Sequence, residues 1–104
     1  MYFNWLPEEM LKRKIVRDDH YEIIWKIQDA MLIVDLAMRN NILILGGDVL
    51  DSSFQYNYAN WLYNPEETLN RMENILMSGE KAKKFLNEYI KQNGMGDYVI
   101  IVEE

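Results

Sequence analysis

The sequence predicts an α+β fold with a small mixed β-sheet, two main helices and a short helix near the N-terminus. Apolar residues recur at helical spacing over residues 28–40 and 65–92. Two uninterrupted apolar runs, Ile42–Leu45 and Tyr98–Val102, have the length and composition of buried strands. The long helix between them predicts a crossover connection and parallel pairing. The length of 104 residues predicts a single domain over 1–104.

Two helices are predicted in the N-terminal half. Residues 6–14 form a short one, because Pro7 stands near its start, acidic residues follow in the first turn and basic residues fill the last. Residues 28–40 form a longer one, which the Asn40-Asn41 pair can end with a left-handed residue. Residues 23–25 fit either a strand or the start of a helix. The apolar stripe of the longer helix is expected at Ala30, Ile33, Val34 and Ala37.

The helix over 65–92 has a strong start signal at Asn64, a good N-cap, followed by a proline at the first helical position. Glu67 then takes the place of a capping-box acid. The apolar register continues through Gly79, which favours one long helix and predicts a close helix contact there. The alternative is a break at Ser78, with a second helix beginning after it.

The segment Gly46-Gly47-Asp48 follows the first apolar run and is the most specific local feature. The glycines are expected to bound the apolar run in a turn or bulge that needs positive φ, with Asp48 bonding nearby amides. Residues 48–50 can extend the strand beyond this bend. The functional alternative is a small enzyme or metal-binding domain in which Asp48 acts as a base or a ligand. A phosphate-binding loop is not favoured, because no Gly-x-x-x-x-Gly-Lys is present and no predicted helix begins directly after the glycines.

Charge and composition exclude several classes of protein. With 11 Lys and Arg against 17 Asp and Glu the net charge is −6, the opposite of a generic duplex-binding protein, so we expect no nucleic-acid partner. The N-terminus does not resemble a signal peptide, and no apolar stretch approaches the roughly 18 residues of a membrane span. We therefore expect a cytoplasmic protein with no membrane partner.

No recognisable catalytic or metal centre is present in the sequence. There is no Cys, and the one histidine, His20, follows two aspartates in an expected surface loop, which excludes a zinc site. Four acids could hold a hard cation, but no calcium-loop spacing occurs and helix capping explains the two glutamates. We expect no catalytic residue, no metal and no cofactor. The four acids are Asp48, Asp51, Glu66 and Glu67.

Residues 48–67 combine those four acids with no basic residue, a net charge of −4, and are rich in aromatic side chains. Residues 52–58 alternate as in an edge strand or form an ordered loop, and residues 60–64 are expected as a loop. Tyr and Trp are common anchors of protein interfaces, and the alternative is that they cover the core. The candidate binding residues are Asp48, Asp51, Phe54, Tyr56, Tyr58, Trp61 and Tyr63.

Several stretches together resemble the immunity protein 40 family, the bacterial immunity proteins of polymorphic toxin systems. They are Asp29-Ala30 leading into an apolar helix, residues 40–50, residues 58–63, and Glu80-Lys81-Ala82. The resemblance covers residues 25–102, and its most specific parts are Leu-Gly-Gly-Asp-Val and the later Asn-Trp-x-Tyr.

The resemblance implies a non-catalytic protein that neutralises a cognate toxin by tight, stoichiometric binding in the producing cell. The acidic composition suits a basic toxin, because complementary charge speeds association. We expect a monomer or weak homodimer. Two alternatives remain: the small enzyme that uses Asp48, and a structural or regulatory subunit whose helices pair with a partner.

Overall fold

The computed structural model describes residues 3–17 and 22–104 and has the α+β architecture predicted from the sequence. The expectations for the loop around His20 lie outside the described residues. The elements are α1 (Glu8–Leu11), β1 (Ile15–Arg17), β2 (Glu22–Lys26), α2 (Ile27–Arg39), β3 (Ile44–Leu50), β4 (Tyr56–Leu62), α3 (Arg71–Asn93) and β5 (Tyr98–Glu103).

The five strands form one sheet in the order β1-β2-β5-β3-β4, and every neighbouring pair is antiparallel. The predicted parallel pairing of the two apolar runs, β3 and β5, is therefore wrong, and the sheet is not mixed. The reason is β4, which is a full strand over Tyr56–Leu62. The sequence allowed either a strand or a loop for residues 52–58 and predicted a loop for residues 60–64, so the loop prediction is wrong for residues 60–62. β4 reverses the chain after β3, so α3 carries it back and β5 enters antiparallel to β3.

The two long helices are confirmed. The short helix predicted over 6–14 is present as α1, but it covers only Glu8–Leu11, so the predicted basic last turn lies outside it. α2 matches the expected 28–40 to within one residue, and Asn41, with φ of +58°, supplies the left-handed residue after it. α3 is one continuous helix through Ser78 and Gly79, and the predicted close contact is present because Gly79 lies against Met38 of α2. The observed start of α3 differs from the predicted one.

The predicted start of α3 at Asn64 is wrong by six residues. Asn70 is the N-cap, and it exchanges hydrogen bonds with Glu73 in a capping box. The buried side chain of Asn74 holds the preceding loop in a non-helical form, because it accepts from the Glu66 amide at 2.8 Å and donates to the Glu66 carbonyl at 3.1 Å. Asn64 therefore precedes an ordered loop that leads into the helix.

The core lies between one face of the sheet and the two long helices. Trp25, Val49, Val99 and Ile101 from the sheet pack with the buried stripes of α2 and α3. The segment before α1 joins the same core, since the Phe3 ring meets Trp25 edge-on with centroids 5.4 Å apart. This arrangement leaves the opposite face of the sheet to be considered as a surface.

The two glycines lie inside β3, which continues through residues 48–50 as the sequence allowed, so the predicted turn at this point is wrong. The alternative form of that prediction, a bulge, is present as a register shift against β5 between Ile44 and Gly46. A Cβ atom on Gly46 would overlap the carbonyl of Trp61. A Cβ on Gly47 would overlap the Trp61 ring and lie 2.9 Å from the Ile100 carbonyl oxygen. Glycine is required here by close approach of Trp61.

Candidate functional site

One face of the sheet carries no helix in the described part of the chain. Residues paired across antiparallel strands project to the same side. Gly47 pairs with Trp61 and Ile101, whose side chains lie on the side of the sheet that packs against the helices. The residues one position before and after them along each strand therefore project from the opposite side. We call this surface the open face, formed by Asp48, Tyr56, Asn60, Leu62, Ile100 and Val102.

The open face has an apolar end. Leu62 and Val102 both pair with Gly46, which contributes no side chain between them. Leu62 is 59% exposed and Val102 is 44% exposed, and Ile100 beside them is partly buried. Contiguous apolar side chains on a surface mark sites of interaction more often than scattered ones do.

Asp48 lies in the middle of the open face. Its register partners are Asn60 on β4 and Ile100 on β5. Asp48 is partly exposed, and its carboxylate accepts no hydrogen bond from any described residue. The Asp48 carboxylate therefore has acceptor capacity for a hydrogen-bond donor on a partner.

The other end of the open face is closed by the loop between β3 and β4. Phe54 packs against Tyr98 with ring centroids 4.8 Å apart, and Arg17 Nη1 donates to the Phe54 carbonyl at 2.9 Å. Asp51 accepts from the amides of Ser53 and Gln55 at 2.8 and 3.1 Å. This is an Asx-type turn, so Asp51 and Phe54 act mainly in shaping the loop.

Tyr56 connects this loop to β2. Its hydroxyl donates to Glu22 Oε1 at 3.2 Å, while half of the side chain is exposed. Partial burial raises the pKa of the Tyr56 phenol, and the hydrogen bond and negative charge of Glu22 and the charge of Asp48 add to the effect. The phenol is therefore held in its neutral, donating form on the open face.

Tyr58 occupies an unusual backbone position. It is 91% exposed and has φ of +69°, which bulky residues seldom adopt. The register of β4 against β3 shifts between Asp48 and Leu50, so residues 57–59 bulge from the strand. Asn57 holds the bulge by donating to the Tyr89 hydroxyl at 2.7 Å and accepting from the Ala59 amide at 3.0 Å. The protein thus presents Tyr58 to solvent at the cost of backbone strain.

The remaining two candidates lie in the core. Trp61 is 6% exposed and packs on Phe85 of α3, with ring centroids 5.1 Å apart. Tyr63 is also buried, and its hydroxyl donates to Asn74 at 2.6 Å. Burial raises the pKa of Tyr63, and the charge of Glu66 adds to it. Trp61 and Tyr63 therefore belong to the core, as the alternative interpretation of the aromatic residues predicted.

A groove runs along the outer side of β4, where it meets α3. It has a volume of about 480 Å³, with Trp61 and Phe85 in its lining and Lys81, Lys84 and Glu88 along α3. Sequence reasoning missed these lysines because they lie far along the chain from residues 48–67. It also missed Leu62 and Val102, since an apolar run does not reveal which of its residues face outward.

Two further observations bear on the alternatives. Within residues 3–17 and 22–104, no three acidic or histidine side chains come together where a metal ion could bind. Among the same residues, no helix has both the length and the apolar character needed to cross a lipid bilayer.

The family model described as immunity protein 40 matches residues 11–103, nearly the whole chain. No curated protein matches the chain. The matched range includes the open face, the β4 bulge and the groove beside α3.

Proposed function

This chain belongs to the immunity protein 40 family, and on that premise we propose that it neutralises a cognate toxin by binding it directly and without catalysis. Membership of the family implies a toxin-neutralising immunity function. Beyond this family function, we propose that inhibition is non-catalytic and that the toxin binds at the open face. The observation that carries it is the open face, where exposed Leu62 on β4 and Val102 on β5 lie on the two strands that flank β3, the strand of Asp48.

The composition of the open face suits a protein–protein interface. Leu62 and Val102 offer apolar area whose removal from water stabilises a complex. Tyr56 and Tyr58 are exposed amphipathic side chains of the kind that dominate binding energy. Asp48 favours a partner that brings a donor, because a carboxylate enclosed without one is destabilising. A binder of this kind inhibits by covering the toxin's functional surface.

The charge of the protein supports a basic toxin as the partner. The net charge is −6, and Glu66 and Glu67 are exposed in the loop before α3. Opposite charge on a toxin would accelerate the encounter, with a rate that falls as salt increases. We place this encounter in the cytoplasm of the producing cell, with the immunity protein acting as a monomer or weak homodimer.

The test uses the protein encoded by the gene directly upstream of this one, where an immunity gene's toxin is expected. That protein is expressed in a susceptible bacterium with and without this chain. The expected results are growth arrest alone, rescue by co-expression, and a one-to-one complex of the purified proteins. Protection at far less than one equivalent would contradict the non-catalytic mechanism, and toxicity without complex formation would contradict direct binding.

A matched pair of variants tests the surface. Val102→Arg places a charge on the open face, whereas Leu32→Arg does so on α2, and the two side chains are equally exposed at 44% and 45%. We expect Val102→Arg to weaken toxin binding at least a hundredfold and Leu32→Arg to leave it unchanged, with both variants folded by circular dichroism. Equal affinities for the two variants would place the interface elsewhere.

A further inference from the structure

We propose that the partner adds an extended segment to the sheet as a further strand along the outer edge of β4, with an acidic side chain placed against Lys81 and Lys84. This inference rests on the proposed function, because the segment belongs to the cognate toxin. It specifies how that toxin is held: by backbone pairing at the edge of the sheet and by a side chain in the groove.

β4 is the longer of the two outer strands. It has seven residues, while β1 at the opposite edge has three. The Tyr63 amide donates to the Leu45 carbonyl at 2.8 Å, so the backbone groups of Tyr63 and of Trp61, two residues earlier, point towards β3. Alternation then directs the N–H and C=O of Asn60 and Leu62 outward. These groups have the spacing that an added antiparallel or parallel strand requires.

The groove beside the edge is suited to the side chains of such a strand. Alternate side chains of an added strand would point to the helix side of the sheet, where Phe85 offers an apolar surface. Lys81 and Lys84 line the same groove, and neither forms an ion pair within the described part of the chain. An acidic side chain would meet both of them, while Glu88 further along α3 disfavours an acid there and so favours one register.

A second copy of this chain fits the edge less well than a toxin segment does. If β4 paired with β4 of another copy, the helix-side residues arriving at the groove would be Trp61 and Tyr63. Both are already packed into their own core. The groove would remain unfilled and its lysines would have no acidic partner. A segment with free side chains fills the groove and supplies the charge.

Amide hydrogen exchange followed by NMR provides the direct test, on the free protein and on its complex with the upstream-encoded protein. The outward amides of Asn60 and Leu62 are expected to exchange fast in the free protein and at least a hundredfold more slowly in the complex. The Trp61 amide, directed at β3, is expected to be slow in both states and serves as the internal control. Contact through side chains alone would leave the outward amides fast.

Two variant pairs test the same contact by affinity. Leu62→Pro removes an outward N–H but no β3–β4 hydrogen bond, whereas Leu62→Ala shortens the same side chain and keeps the N–H. We expect the proline variant to bind at least tenfold more weakly than the alanine variant. Lys84→Glu is expected to weaken binding at least tenfold, and Lys91→Glu, an equal charge change on α3 outside the groove, less than twofold.

The outcomes separate this inference from the proposed function. If the wild-type protein neither binds nor rescues, the proposed function is wrong and the inference falls with it. If the wild-type protein binds, but the outward amides stay fast and Lys84→Glu behaves as Lys91→Glu does, strand addition is wrong while toxin binding stands. Light scattering that shows β4-dependent dimers in place of a one-to-one complex would also overturn it. Because exchange is measured on the wild-type protein, a proline variant that fails to fold does not remove the test.

Discussion

Replacing Gly47 by alanine sets two physical effects against each other. Gly47 has no positive φ, so backbone propensity alone predicts that alanine stabilises the strand by about 0.5–1 kcal/mol. The tertiary structure predicts the opposite, because the added Cβ would overlap the Trp61 ring and lie 2.9 Å from the Ile100 carbonyl oxygen. The sign of the change in the free energy of unfolding therefore decides between them.

The magnitude follows from what has to move. Trp61 is 6% exposed and packed on Phe85, so its ring cannot shift without disturbing the core. Overpacking costs about 1–3 kcal/mol, and partial loss of a large aromatic contact adds to it. We expect Gly47→Ala to lower the free energy of unfolding by about 2–4 kcal/mol. For a domain of this size that is a fall in melting temperature of about 10–25 °C.

Urea unfolding followed by tryptophan fluorescence measures this change. Gly96→Ala is the matched control, because nothing lies within 4 Å of a Cβ at Gly96, and it should alter stability by less than about 1 kcal/mol. Trp61→Leu removes the ring and loses no hydrogen bond to a described residue. In a protein that carries Trp61→Leu, Gly47→Ala should therefore lower the free energy of unfolding much less than it does in the wild type. A Gly47→Ala variant as stable as the wild type would refute the close-approach argument.

The remaining predictions concern the hydrogen bonds of Asn74 to the loop before α3, the kinetics of toxin binding, stability at alkaline pH and stability without metal ions. Asn74→Ala should destabilise the protein by about 2–3 kcal/mol in urea unfolding, since it leaves the Tyr63 hydroxyl and loop backbone groups unpaired. Toxin binding should be measured by surface plasmon resonance at two salt concentrations. Tyr58→Ala should raise the dissociation rate about thirtyfold, which corresponds to about 2 kcal/mol of binding free energy, whereas Glu67→Lys should mainly slow association. Slower association for Tyr58→Ala and faster dissociation for Glu67→Lys would contradict these roles. Because the pKa of Tyr63 is raised in the folded state above 10.0, the unfolded chain loses its proton first, so stability should fall as pH rises above about 10. Tyr63→Phe should make the free energy of unfolding depend less on pH in this range. The same pH dependence in the variant and the wild type would contradict a role for Tyr63. The melting temperature should be the same with and without EDTA, and a clear drop would revive a carboxylate metal site.

The helices of this protein follow from local sequence. Apolar spacing placed α2 to within a residue, and Asn41 ends it as expected. The continuous apolar register through Gly79 predicted one long α3. Helical periodicity and the left-handed residue that ends α2 depend on residues within about four positions of one another, so they can be read directly from the chain.

Part of the candidate surface was also accessible from sequence. Asp48, Tyr56 and Tyr58 were selected by charge and aromatic content, and all three lie on or beside the open face. Trp61 and Tyr63 were selected by the same criteria but are buried. Composition identifies amphipathic side chains, whereas their exposure depends on which elements pack over them.

Only the tertiary structure decided the direction of β5, the start of α3 and the role of the glycines. Two good N-cap residues, Asn64 and Asn70, precede α3, and the choice between them depends on the bonds that Asn74 makes to Glu66. The glycines of β3 are required by the Trp61 ring and carbonyl, which arrive from the neighbouring strand. The edge of β4 meets the lysines of α3 only after folding. Each of these features depends on contacts beyond the range of local helix signals, and those contacts form only when strand pairing, loop hydrogen bonds and core packing bring the residues together.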